Sequence, residues 1–115
     1  MAELAKMKCV ACRGDQPQVT EAELDVYQDQ VPEWRIVSRG GINRLERVFV
    51  FSDFAGALEF TNQVGQLAER EDHHPAILTE WGQVVVTWWT HKIRGLHRND
   101  FVAASKTDKL LEMEG

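Results

Sequence analysis

Between Thr20 and Met113 the chain changes hydrophobic period several times, from the 3.6-residue repeat of a helix to the two-residue repeat of a strand. Thr20 followed by Glu21-Ala22-Glu23 predicts a helix start, with Thr20 as N-cap and Glu23 closing a capping box. That helix should run from Glu21 to about Gln30. It should stop before Val31-Pro32, because a residue preceding proline is pushed out of helical geometry. Trp34-Arg35-Ile36-Val37 reads as a strand, and Arg39-Gly40-Gly41 as a turn with glycines for positive φ. Leu45 to Phe51 is the clearest strand. Leu45, Phe49 and Phe51 share one face, and Glu46, Val48 and Val50 the other. Arg47 interrupts the first face near its edge. Ser52 or Asp53 is expected to cap a helix from Phe54 to about Glu71. Phe54, Ala57, Leu58, Val64 and Ala68 form its apolar stripe, which Phe60 and Leu67 widen. Pro75 is expected to stop this helix after His73 and His74. Ala76 to Glu80 and Gln83 to Thr90 read as a hairpin around Trp81-Gly82. Its second strand, with Val84, Val85, Val86, Trp88 and Trp89, is apolar on both faces. Arg94-Gly95 is a turn, and a last helix should start at Arg98, Asn99 or Asp100 and reach about Met113.

The order α-β-β-α-β-β-α predicts an α+β fold, a four-stranded antiparallel sheet with helices packed on one face. Residues 1–18 read as an N-terminal arm and residues 19–115 as one domain. The two-sided apolar strand and the broad helical stripe exceed what one sheet face covers. A homodimer or homotetramer is therefore expected.

The chain has 115 residues, of which 43% are hydrophobic and 27% charged, the profile of an ordinary globular domain. Its net charge of −5 argues against direct binding to nucleic acid or an anionic membrane, both of which need a basic excess. No apolar run approaches a membrane span. Met1 to Val10 lacks the long apolar stretch of a secretory signal, so a cytoplasmic location is expected. Cys9 and Cys12 form a CxxC pair, which can be half of a zinc site or a redox pair. No second CxxC completes four ligands, and Arg13-Gly14-Asp15-Gln16-Pro17 after it reads as loop. Two reduced thiols in the arm are the expectation.

Candidate chemistry concentrates in residues 69–100. All four histidines lie there, and three of them, His73, His74 and His91, fall within 19 positions, with Glu69 and Asp100 to either side. Imidazole exchanges protons near neutral pH, which makes acid–base catalysis the leading reading. Adjacent His73 and His74 diverge, so they can straddle a pocket edge but make poor co-ligands. No HExxH spacing is present, and no metal is expected. Glu69, one helical turn before His73, can orient an imidazole, and Asp100 can do likewise for His91. Trp34, Trp81, Trp88 and Trp89 read most simply as packing residues, although one or two would serve a flat aromatic ligand. His97, past the turn, is expected to be exposed.

These residues resemble a known family. Glu69-x3-His73-His74-Pro75, Trp81 six residues after the proline, His91 ten residues later and Asp100 are similar to the signature of the pterin-4a-carbinolamine dehydratases. Trp34, the Phe49-x-Phe51-x-Asp53-Phe54 junction, and Thr90-His91 with Gly95-Leu96 extend the likeness over roughly residues 19 to 113. The resemblance implies dehydration of a 4a-hydroxytetrahydropterin to the quinonoid dihydropterin, as 4a-hydroxytetrahydrobiopterin dehydratase does in tetrahydrobiopterin recycling. It implies no metal or redox cofactor. His73, His74 and His91 would carry the acid, base and substrate-holding roles. Glu69 and Asp100 would orient them, and Trp34 or Trp81 would flank the pterin. It also implies an alternative, since the family includes interaction proteins such as a dimerisation cofactor of a homeodomain transcription factor.

Overall fold

The computed structural model describes residues 4–7 and 18–114. Cys9 and Cys12 lie outside the described residues, and with them the reading of the CxxC pair. The first helix, α1 (Glu21–Gln28), begins with the expected reciprocal cap. Glu23 N–H donates to the Thr20 hydroxyl, and Thr20 N–H donates to the Glu23 carboxylate. It ends two residues earlier than the expected Gln30.

Strands β1 (Arg35–Arg39) and β2 (Ile42–Val50) follow. They pair antiparallel through Gly40 and Gly41, whose φ values of 59° and 77° permit the two-residue turn. Next come α2 (Phe54–Glu71), β3 (Ala76–Glu80) and β4 (Gln83–Trp88). Of the two candidate caps of α2, Asp53 takes the role, accepting from Gly56 N–H at 2.8 Å. After β4 a single 3-10 turn (His91–Ile93) leads into α3 (Arg98–Glu114). The sheet order is β1-β2-β4-β3, all antiparallel. The expected α+β architecture and element order are those of the structure.

Both long helices cover the face that carries Leu45, Phe49, Val84, Val86 and Trp88, all buried. α2 contributes Ala57, Phe60, Val64, Leu67 and Ala68 to this core, and α3 contributes Phe101 to Ala104. Arg47 lies on the same face without interrupting the core. It pairs with Asp108 of α3 at 2.7 Å and lays its guanidinium on the Phe49 ring. Polar ties fix the helices to the sheet and to each other. Thr61 of α2 bonds Thr79 of β3, Trp88 donates to Thr107, and Lys106 of α3 pairs with Glu71. Leu4, within the segment read as an arm, is buried in the core, and its N–H donates to Gln30.

The opposite sheet face is bare. Val48 and Leu78 both lie beside Val85 in the register and are about half exposed, and Val50 is 79% exposed. Phe54 and Leu58, counted in the apolar stripe of α2, are also exposed. Among the described residues no helix is long and apolar enough to cross a membrane.

Candidate active site

The histidine pair is placed by one backbone dihedral. α2 ends at Glu71, and Asp72 adopts the left-handed conformation with φ 51° and ψ 44°. His73 N–H then donates back to Ala68 O, which closes the last turn in a Schellman arrangement. The helix therefore stops before the histidines, not after them as Pro75 suggested. The reversal sends the two imidazoles to different partners. His73 turns into the fold and is buried, whereas His74 stays exposed.

His73 donates Nε2–H to Asp100 Oδ1 at 2.7 Å, and its ring stacks on Trp88 with centroids 5.5 Å apart and planes 9° from parallel. Asp100 has no exposed surface. Its Oδ2 accepts from the Thr90 hydroxyl at 2.8 Å and from His97 N–H at 2.9 Å. Three donors thus satisfy a carboxylate that would be costly to bury alone. Glu69, expected one turn before His73, instead meets His74, at 2.6 Å from Nε2. That pair is exposed, and it borders an open groove of about 700 Å³ between α2 and β3, lined by Thr61, Gly65, Gln66, Glu69 and Ile77 among others.

His91 lies beyond β4, which ends at Trp88, in the 3-10 turn. The chain departs from the sheet because Thr90 bridges to Gly95 instead of pairing with β2. His91 is exposed and packs on Trp89, with ring centroids 4.3 Å apart. Arg44 covers the Trp89 ring at 4.1 Å. Asp100 meets His73, not His91 as its place near the helix start suggested. It gathers the site all the same. One carboxylate binds His73 directly, binds the hydroxyl of Thr90 next to His91, and binds the backbone of His97.

The structure does not bring Trp34 or Trp81 to this cluster. Trp34 is buried in the core, with Nε1–H donating to Asp108 at 2.8 Å, and Asp108 is eight residues along α3 from Asp100, about 12 Å away. Trp81 tops the β3–β4 hairpin, 74% exposed, at the far end of β3 from His74, about 17 Å along the strand. The aromatic rings at the histidines are Trp88 and Trp89. Strand alternation carries the signal for them, since consecutive residues face opposite sides and can serve two histidines. His97, expected to be exposed, is half-buried and bonded through Nδ1 to Asn99 N–H. Burial, the largest influence, pushes its imidazole below the ordinary value. Among the described residues no group of three or more His, Cys, Asp or Glu has metal-holding geometry.

The chain is similar to known proteins in sequence and in fold. Residues 17–110 match the family described as pterin 4 alpha carbinolamine dehydratase. A protein of Nitrosococcus oceani, provisionally named a pterin-4-alpha-carbinolamine dehydratase, is 56% identical over 112 residues, 97% of this chain and 99% of its own. Among solved structures, a transcriptional coactivator/pterin dehydratase from Brucella melitensis superposes with a TM-score of 0.74 at 31% identity, covering 82% of this chain and 98% of its own. A pterin dehydratase-like RuBisCO assembly factor of the alpha-carboxysome shares the fold, with a TM-score of 0.58 at 22% identity over 68% of this chain and 88% of its own.

Proposed function

The chain belongs to the pterin-4a-carbinolamine dehydratase family, and we propose that it removes water from a 4a-hydroxytetrahydropterin by histidine acid–base catalysis. The observation that carries this reading is the buried His73–Asp100 pair, stacked on Trp88, beside an exposed His74–Glu69 pair. Dehydration moves two protons. The leaving 4a-hydroxyl gains one and departs as water, and a ring nitrogen gives one up as the carbon–nitrogen double bond forms. One imidazolium and one neutral imidazole meet that need without a metal or redox cofactor.

The two pairs differ in a way that suits separate tasks. Asp100 holds Nε2–H of His73, which fixes the tautomer and leaves Nδ1 as the acceptor of the neutral ring. His74 and His91 are exposed and can meet a substrate from solvent. Glu69 orients His74 as Asp100 orients His73. Trp34 and Trp81, assigned to the pterin by family resemblance, stand apart from the histidines in one copy of the chain. Decay of 4a-hydroxytetrahydropterin, followed by absorbance with and without purified protein, tests the reading. A rate unchanged by the protein would remove it.

The apolar surface left exposed, Val48, Val50 and Leu78 on the bare sheet face and Phe54 and Leu58 on α2, supports self-association as a homodimer or homotetramer. It also supports the second reading, an interaction protein on this fold, in line with the coactivator role named for the Brucella melitensis protein. The acid–base residues His73, His74 and His91 favour the enzyme, since a scaffold need not keep them.

A further inference from the structure

A histidine stands at the start of α3, where a short hydroxyl, amide or carboxylate side chain is the usual cap. His97 Nδ1 accepts from Asn99 N–H at 3.0 Å, and His97 N–H donates to Asp100 Oδ2 at 2.9 Å. Together the two bonds form a capping box in which imidazole replaces the hydroxyl. The first amides of a helix have no intrahelical acceptor, so the cap matters to where the helix begins. It also has a protonation requirement. Nδ1 accepts only through its lone pair, and an imidazolium carries a proton on both nitrogens. The box is complete only while His97 is neutral.

The second half of that box is the carboxylate that holds His73. Asp100 spends Oδ1 on His73, and Oδ2 on His97 N–H and Thr90. We propose that His97 is a positioning residue: its neutral imidazole closes the capping box that holds Asp100 against His73, and its protonation loosens that pair. The catalytic consequence rests on the dehydratase reading; the linkage from His97 through Asp100 to His73 does not.

The groups facing His97 come from three places. Asp100 and Arg98 belong to α3, His73 follows α2, and Glu23 belongs to α1. Burial acts first and lowers the His97 pKa. Asp100 and Glu23 oppose it, while Arg98 and His73 reinforce it. The ring is therefore neutral at pH 7 and the cap closed. With a depressed folded value, the stability contributed by His97 is fully present above the ordinary imidazole value of about 6.5. It is lost as the pH falls through the lower folded value.

Two variants separate the cap from the titration. His97→Ser keeps an oxygen acceptor and does not titrate, whereas His97→Ala removes the acceptor. The measurements are the 15N resonances of the His73 imidazole, the unfolding midpoint from about pH 5 to pH 8, and kcat and KM for 4a-hydroxytetrahydropterin. His97→Ala should shift the His73 resonances and lower kcat roughly tenfold at pH 7.5 with KM little changed. His97→Ser should restore both. The midpoint difference between wild type and His97→Ser should be flat above pH 7 and move against the wild type as the pH falls. Unmoved His73 resonances in His97→Ala, or a midpoint difference flat throughout, would overturn the proposal. If His97→Ala does not fold, wild type against His97→Ser decides alone. Absence of dehydration by the wild type would remove the enzyme reading and leave the resonances and midpoints to judge the linkage.

Discussion

His73 Nε2 and Asp100 Oδ1 lie 2.7 Å apart, and the carboxylate that joins them is fully buried and also held by Thr90 and His97. The pair ties the end of α2 to the start of α3 at the place where β4 leaves the sheet. Asp100→Ala would strand three donors in the interior, at a cost of about 3 kcal/mol or more. Asp100→Asn keeps the shape but turns an amide donor toward one of these donors. It should lower kcat by at least roughly tenfold with a smaller loss of stability. Denaturant unfolding and steady-state kinetics on both variants check this. Full activity in Asp100→Asn would show that the carboxylate only fills space.

His74 and His91 should behave differently from His73. Each is exposed, so replacement by alanine should leave the unfolding midpoint nearly unchanged while kcat falls by roughly 10²-fold or more. The His74–Glu69 pair is too exposed to stabilise the fold by more than about 1 kcal/mol. His73→Ala should lose activity and stability together, because the ring is stacked on Trp88 and bonded to Asp100. Near-normal turnover in either exposed variant would take that histidine out of the site.

Trp34 offers a clean contrast between substrate contact and core. Its indole N–H bonds Asp108, and its ring lies 5.9 Å from that of Phe49. Trp34→Phe should cost about 1–3 kcal/mol of stability and leave KM unchanged. A raised KM at an unchanged midpoint would instead give Trp34 to the pterin, as family resemblance has it.

Asp108 should show its environment through pH. Burial, the largest influence, raises its carboxyl above the ordinary aspartate value, although Trp34 and Arg47 pull it down. A raised folded value means stability that is full below the unfolded value and lost as the pH rises through the folded one. The cost of Asp108→Asn should therefore shrink as the pH is raised from about 3.5 to about 6. Thermal melts of both proteins across that range measure it. A cost that grows with pH would mean that the Arg47 ion pair outweighs burial.

Self-association is the last expectation. Val50, Leu78 and Trp81 on the sheet and its hairpin, with Phe54 and Leu58 on α2, leave more apolar surface than a small monomer usually shows. Sedimentation equilibrium at micromolar concentration should give a dimer or tetramer, and Leu58→Glu or Val50→Glu should shift it toward smaller species. A single species of 13.2 kDa in the unmodified protein would refute this.

The elements were legible in the sequence because period reports local burial. Leu45, Phe49, Val84 and Val86 alternate with outward neighbours, and Thr20 with Glu23 names a helix start by its own chemistry. The identity of the candidate histidines was legible too, since Glu69, His73, His74, His91 and Asp100 stand at telling intervals. Their pairing was not. A positive φ at Asp72 turns His73 inward to Asp100 and leaves His74 to Glu69, and no periodic pattern encodes the sign of one dihedral at a non-glycine residue. Nor does spacing tell which tryptophan meets a histidine. Trp88 and Trp89 do because β4 ends beside both His73 and His91, whereas Trp34 and Trp81 are carried away by the core and the hairpin. Local sequence set which faces are apolar and where each element begins. Packing between elements distant in the chain decided which polar groups share Asp100, because that depends on three-dimensional distance and not on position along the chain.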